Sequence, residues 1–558
     1  MSNKKESKVV DYIVVGGGPA ACAVASRLTE DSNVSVTLLE QGSRDWNPYI
    51  HMPVTYFKTA KGNLLTRYKL EPQKHQNGIA PEMVQGRVLG GGSSVNAMVY
   101  MRGCPEDYDN WEANGCTGWS YKEVLPYFKR SEDNERFAND AHGQGGPLGV
   151  SDQRHTHYLT KAWVKAAQQL GIPFTADFNS GRQEGVGFYQ VKMRNGLRCS
   201  AAVAYLNPAR KRSNLQIKTG CQVLRVLVEN GRAYGVEYRE GGRVKVLRAE
   251  KEVIVSAGAV GSPTLLLRSG IGPAEHLRSV GVPVVHNLPG VGENFQDHVD
   301  MFLIYELTGA HSYDKYKKLH WQAWAGLQYL LFRNGPITSN ICEGGLVWYG
   351  DDKDPLPNLQ FHFLPGAGVE EGAETTPSGN GCTVNVYQTR PRSRGTVRLR
   401  DANPDTPPRV DPNYLSDPYD VDMLAEAVRL GMEIMDQPAL KPFVAHVHRP
   451  RQPLATHEER VRFVRETAQG ALHPSGACKM GVDEMAVVDP EFRVHGLQGL
   501  RVCDTSAMPS LVSGNTSAPS MMMGERLADF IKGRRSLLNT EKPVATASVV
   551  NLNANVGA

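Results

Sequence analysis

Residues 9–40 read VVDYIVVGGGPAACAVASRLTEDSNVSVTLLE, and the reading of this stretch decides the fold. Tyr12 to Val15 is a short, wholly apolar run, as expected of a strand covered on both faces. Gly16-Gly17-Gly18 breaks it. Pro19 to Leu28 is rich in small helix formers, and proline suits a first helical turn because no backbone N–H is needed there. A second apolar run, Val34 to Leu39, ends in Glu40. Strand, glycine turn, helix and strand make half of a doubly wound α/β sheet. Gly16-x-Gly18-x-x-Ala21 is the dinucleotide fingerprint in its alanine form. The first glycine makes the turn. The second brings a pyrophosphate onto the helix N-terminus, where Pro19 and Ala20 stand, and Ala21 lets helix and strand approach. Glu40, 19 residues beyond Ala21, is placed for ribose hydroxyls. An acid there favours an unphosphorylated adenosine ribose, hence FAD or NAD rather than NADP.

Glycine-rich strand-to-helix turns recur near 90, 258 and 514. GRVLGGGSSVNAMVYMRG at 86–103 is too long for a turn and too apolar at its flanks for a linker. Its three glycines and two serines present amides and hydroxyls to one anion or ring edge. The pattern predicts an α/β protein with one discontinuous Rossmann-like nucleotide domain, made from 9–150, 215–300 and 456–535. The second, α+β domain would take 151–214 and 301–455, and a mobile tail is expected over 536–558. Strands are expected over 215–228 and 234–246 around an Asn230-Gly231 turn, and helices over 111–132, 264–268 and 420–435.

Composition fits this reading. The chain has 558 residues, 41% hydrophobic and 22% charged, which suits packed domains rather than disorder. Its 62 Lys+Arg and 58 Asp+Glu give +4 with no basic block, which disfavours nucleic acid as a partner. No apolar run is long enough for a spanning helix, and no signal-like segment opens the chain. The nine cysteines contain no CxxC pair, so reduced thiols and a cytoplasmic location are expected, with peripheral membrane contact left open. His155/His157 and His446/His448 have HxH spacing but no third ligand nearby, so no metal site is expected.

LHPSGACKMG at 472–481 places His473 before a tight turn, and VSGNTSAP at 512–519 places Asn515 42 residues later, before a helix. Oxidising an alcohol by hydride transfer needs a base for the hydroxyl proton, a second group that fixes the hydroxyl, and exclusion of water. Histidine suits the base near neutral pH. Taken alone, a loop histidine such as His473 is more often structural than catalytic.

Together these blocks, with GAVGSP at 258–263, SGIG at 269–272 and LPGVGENFQDH at 288–298, resemble the glucose–methanol–choline (GMC) flavoprotein oxidoreductases over residues 9–535. Within that family, EPQKHQNGIAPEMVQGR, SYDKYKKLHW and NLQFHFLPGAG resemble the bacterial FAD-dependent alcohol dehydrogenases, the L-sorbose-oxidising subgroup above all, with choline dehydrogenases further off. The resemblance implies that Glu40 holds the adenosine ribose and that the Val223 backbone holds the adenine. Arg87, Gly90, Gly91, Asn96, Ala97, Met98 and Val99 would lie along the pyrophosphate and isoalloxazine, completed by Asp504 and Thr516. Some members attach FAD through a histidine where this chain has Val95, so non-covalent FAD is implied. His473 would be the base and Asn515 its positioning partner. Glu343 and His362 match substrate-pocket positions, Glu343 facing a cation in choline-oxidising members. The implied reaction is oxidation of a CH–OH group, with L-sorbose to L-sorbosone as the leading substrate. A quinone-type acceptor, a dye or O2 would reoxidise the flavin. A choline-type dehydrogenase, an O2-using oxidase, a lyase with structural FAD and a non-catalytic flavin protein are the alternatives.

Overall fold

The computed structural model describes residues 9–59, 62–351, 353–370 and 372–538; the expected tail lies outside them from 539 onward. Two seven-stranded sheets organise the chain. In the first, the strand order is Leu215–Lys218, Val36–Leu39, Val9–Val15, Arg243–Val255, Arg232–Glu240 and Cys221–Glu229. The first four run parallel and the last two join by antiparallel pairing. Leu500–Val502 pairs in parallel with the far end of Arg243–Val255. Helix Pro19–Leu28 packs against the C-terminal helix Ser517–Ile531. Gly524 permits the approach, since a Cβ there would lie 2.4 Å from the Ala20 carbonyl oxygen.

The expected strand pair over 215–246 divides further. Gly220 (φ +70°) turns the chain after Leu215–Lys218, which then pairs in parallel with Val36–Leu39. Asn230 and Gly231 (φ 50° and 74°) close one hairpin and Gly241-Gly242 (φ 56° and 77°) a second, as their tolerance of left-handed backbone allows. Likewise the helix expected over 111–132 is two, Pro105–Ala113 and Tyr121–Ser131, separated by left-handed Gly115 and Gly118.

The second sheet runs Val444–Arg449, Val299–Leu307, Gly381–Gln388, Leu359–Leu364, Gly344–Trp348 and Gly185–Phe188, all antiparallel. Helix Pro418–Met435, capped by Asp417, covers one face. Leu303, Phe361, Phe363, Val384 and Val386 fill the core beneath it. Because side chains alternate along strands, the opposite face carries Asp300, Gln360, His362, Asn385 and Tyr387. Helix His457–Thr467 packs on Pro418–Met435, and Gln469–Gly470 pairs with Val299–Leu307. The second layer therefore continues past 455 to 470. All nine cysteines are free and buried. No helix among the described residues is long and apolar enough to cross a membrane.

Candidate active site

A cavity of about 650 Å³ lies between the two layers, within the range of small-molecule sites. Its wall begins at the fingerprint. A Cβ on Gly16 would lie 2.2 Å from the Ser256 carbonyl oxygen, and one on Gly91 (φ +51°) 2.8 Å from Gly18 Cα. The Gly90 N–H donates to the Gly17 carbonyl at 2.7 Å. The two glycine clusters thus interlock, and only glycine fits where they touch. Glu40 accepts from the Gly17 N–H through Oε2 and the Gly42 N–H through Oε1, both at 2.7 Å. Burial pushes its carboxyl up to about 7. Both oxygens keep lone-pair capacity for ribose hydroxyls.

Three helices present their N-terminal residues to this cavity: Pro19 and Ala20, Gly258 and Gly261, and Ser517 with its cap Thr516. Unpaired N–H groups and the helix dipole make such ends receptive to phosphate. Asp504 braces the second of these helices, accepting from the Gly258 N–H at 2.8 Å and the Ser262 hydroxyl at 2.5 Å. This donor set, with Glu40 on the same wall, fits a dinucleotide. Val95, whose side chain offers no nucleophile, lines the same wall.

Behind Ser93–Val99 lie two buried cations. Arg198 donates to the carbonyls of Ile50, Ser93 and Asn96 at 2.7, 3.2 and 2.7 Å, and Lys192 to that of Val99 at 3.1 Å. Neither forms an ion pair with a carboxylate among the described residues. Burial brings Lys192 down to about 7 and Arg198 to about 9. They put positive charge against the wall formed by Asn96, Ala97, Met98 and Val99, where Met98 is held at φ +61°.

His473 follows Leu472, itself left-handed at φ +63°. The His473 N–H donates to Asp297 Oδ1 at 2.7 Å, and the Tyr414 hydroxyl holds the other Asp297 oxygen at 2.9 Å. The ring is oriented by a relay. His298 Nε2 lies 3.0 Å from the Thr389 carbonyl oxygen, which only accepts, so Nε2 carries the proton. Burial holds His298 neutral, which leaves its Nδ1 bare. His473 Nδ1, 3.0 Å away, must then donate, and His473 Nε2 is left as a lone pair. Asn515 Nδ2 sits 3.0 Å from that nitrogen. Gln360 Nε2 reaches Asn515 Oδ1 at 3.4 Å. Burial and the Lys192 charge lower His473 to about 4.

The sheet's polar row closes this part of the cavity. The Tyr387 hydroxyl lies 3.1 Å from His362 Nε2, and burial pushes His362 down to about 3. Asn385 donates to Asp300 at 2.8 Å. Burial raises Asp300 to about 8, so it is mostly protonated at neutral pH.

Of the residues singled out in the sequence, Gly16, Gly18, Pro19, Ala20, Glu40, Arg87, Gly91, Asn96, Ala97, Met98, Val99, Val223, His362, His473, Asp504, Asn515 and Thr516 all line the cavity. Gly90 does not; with φ +88° it shapes the turn behind the wall. Glu343 is also off the wall, which corrects its expected place in the substrate pocket. Its Oε1 accepts from the hydroxyls of Tyr313 and Ser339, both at 2.5 Å. Its Oε2 accepts from the His157 N–H and the Thr160 hydroxyl, both at 2.7 Å. Glu370 does line the wall, beside Tyr56 and Phe57, and accepts from the Tyr56 hydroxyl at 2.6 Å. Sequence reading missed Asp297, His298, Asp300, Glu370, Asn385 and Tyr387. Alternation of polar side chains along the strands was the available signal for Asp300, Asn385 and Tyr387.

The sequence model of the GMC oxidoreductase family matches residues 10–300 and 391–524. An oxygen-dependent choline dehydrogenase of Sinorhizobium fredii is 41% identical over 535 residues, 95% of this chain and 97% of that one. An alcohol dehydrogenase [acceptor] of Pseudomonas putida is 40% identical over 527 residues, 93% and 95% of the two chains. Choline dehydrogenases thus stand as near as alcohol dehydrogenases, not further off. A solved FAD-dependent oxidoreductase from Chaetomium thermophilum superposes with a TM-score of 0.86 at 27% identity, over 94% of this chain and 99% of that one.

Proposed function

The chain belongs to the GMC oxidoreductase family, FAD-binding enzymes acting on CH–OH groups, and from that premise we propose that it is an alcohol dehydrogenase with His473 as base. The observation that carries this reading is the pairing of His473 Nε2 with Asn515 Nδ2 at 3.0 Å on the wall of the dinucleotide cavity. Bound FAD supplies the hydride acceptor. The protein's part begins with the substrate hydroxyl displacing the direct Asn515–His473 hydrogen bond and bonding to both Nε2 and the Asn515 amide. The amide fixes the oxygen, so the carbon-bound hydrogen is aimed rather than free to rotate. Nε2 accepts the hydroxyl proton, and the His298–Thr389 relay keeps that nitrogen available. The FAD is held without a covalent bond, through Glu40, the Val223 backbone and the three helix N-termini.

The preferred substrate is a neutral, hydroxyl-rich alcohol, with L-sorbose leading. The support is chemical: Asn385, Tyr387, neutral His362 and protonated Asp300 offer uncharged donors and acceptors to further hydroxyls. Glu343, the acid that would face a cation, has both oxygens committed to four donors. One observation favours a second reading, a choline-type substrate: Glu370 shares the wall with Tyr56 and Phe57, an acid and two aromatic rings. Anaerobic mixing with L-sorbose, simple primary alcohols and choline decides between them. Faster bleaching of the flavin by the sugar is expected. Bleaching by choline alone would install the second reading, and no bleaching by any alcohol would remove both. A quinone-type acceptor, a dye or O2 would reoxidise the flavin, and peroxide release in air with substrate would mark the O2-using case.

A further inference from the structure

Helix Leu319–Phe332, LHWQAWAGLQYLLF, is the most apolar helix among the described residues. A surface helix ordinarily turns an apolar stripe inward and a charged face outward. This one contains no Asp, Glu, Lys or Arg, and only Ala325 and Tyr329, one turn apart, are buried. Leu319, Leu330 and Phe332 are 81, 72 and 66% exposed, and Trp324, Leu327 and Leu331 are exposed beside them. Monomeric proteins rarely leave so continuous an apolar surface to water.

The charges lie at its ends. Lys315, Lys317 and Lys318 precede the helix and Arg333 follows it. Lys317 bonds Asp314, and Lys315 lies over the rings of Tyr316 and Trp321. An apolar helix bearing tryptophans and bordered by cations carries the aromatic and cationic anchors that collect at membrane–water interfaces. A second copy would bring these cations toward one another, whereas anionic headgroups complement them.

The helix is also rigidly mounted. Tyr313, ahead of it, and Ser339, beyond it, both donate to Oε1 of buried Glu343. The Tyr329 hydroxyl reaches the Gly196 carbonyl at 3.3 Å. Tyr313 and Tyr316 belong to one apolar cluster with Tyr56, Phe57, Ala97 and Val369, four residues of the cavity wall. The turn Tyr313–Lys317 that leads into the helix therefore packs on the same apolar cluster as the cavity wall.

We propose that helix Leu319–Phe332 docks the protein on an anionic phospholipid bilayer, lying in the plane of the surface rather than crossing it. The test is sedimentation of the FAD-loaded, full-length protein with vesicles. Phosphatidylcholine vesicles containing phosphatidylglycerol should capture it, and pure phosphatidylcholine should capture it roughly tenfold less. Leu330→Asp with Leu331→Asp should weaken capture by roughly tenfold or more. Both side chains point into water, so bound flavin and dye-linked alcohol oxidation should stay at wild-type levels. Lys315→Gln with Lys318→Gln should weaken capture by the mixed vesicles alone, which separates the electrostatic part from the apolar one. Failure of the wild type to bind the mixed vesicles would overturn the proposal. So would equal binding by the Leu330/Leu331 variant. A wild-type dimer in size-exclusion light scattering that this variant dissociates would assign the face to a second copy instead.

Discussion

A histidine acts as a base only when one ring nitrogen is kept bare, and at His473 that condition is set two side chains away, at the Thr389 carbonyl. His473→Ala should therefore keep its flavin and lose roughly 10²–10⁴-fold in the rate of flavin reduction by alcohol, measured anaerobically by stopped flow. His298→Leu removes the acceptor that holds the His473 Nδ1 proton. Its flavin should remain bound, while the rate falls and the acid limb of the pH profile moves, a change that simple loss of packing would not produce. The direction of that limb follows from burial. His473 is neutral above about 4, so kcat/KM should hold steady through the usual histidine range and decline only as pH falls toward that value. A decline centred near 6.5 would mean that the ring is solvated and the relay is not in place.

At the scale of elements, the interlock of the two glycine turns makes the cavity. Gly91→Ala places a methyl group 2.8 Å from Gly18 Cα on a left-handed residue; the backbone term alone costs roughly 1–2 kcal/mol. The variant should purify with a flavin-to-protein ratio well below that of the wild type, read from the visible absorbance. These turns were legible in the sequence because a close backbone approach admits little but glycine. Helix Pro418–Met435 was legible for the same kind of reason, its apolar period matching one buried face. The polar row was not. Asp300, His362 and Asn385 stand on three strands far apart in the chain, and only cross-strand register aligns them. Glu343 misled because its partners, Thr160 and Tyr313, come from distant segments that no local pattern ties to it.

Across the whole molecule, Glu343 ties together three distant segments of the second layer, at 157–160, 313 and 339. Glu343→Ala strands four buried donors and should lower stability by roughly 3 kcal/mol or more, seen as a drop in the urea midpoint. The KM for alcohol should stay unchanged, whereas a role in the pocket would raise it. The chain visits both layers repeatedly, and this has a consequence for biosynthesis. Strand Leu500–Val502, His473, Asn515 and the third phosphate-facing helix all belong to the final sixth of the described sequence. Folding that waits for such distant pairings is slow and exposes unfinished edges. A nascent polypeptide still tethered at the ribosome can build the first strand and helix but has nothing with which to close the vessel around its coenzyme. Vitamin supply should therefore govern how much of the newly released product survives the cell's quality control, not how fast it is translated.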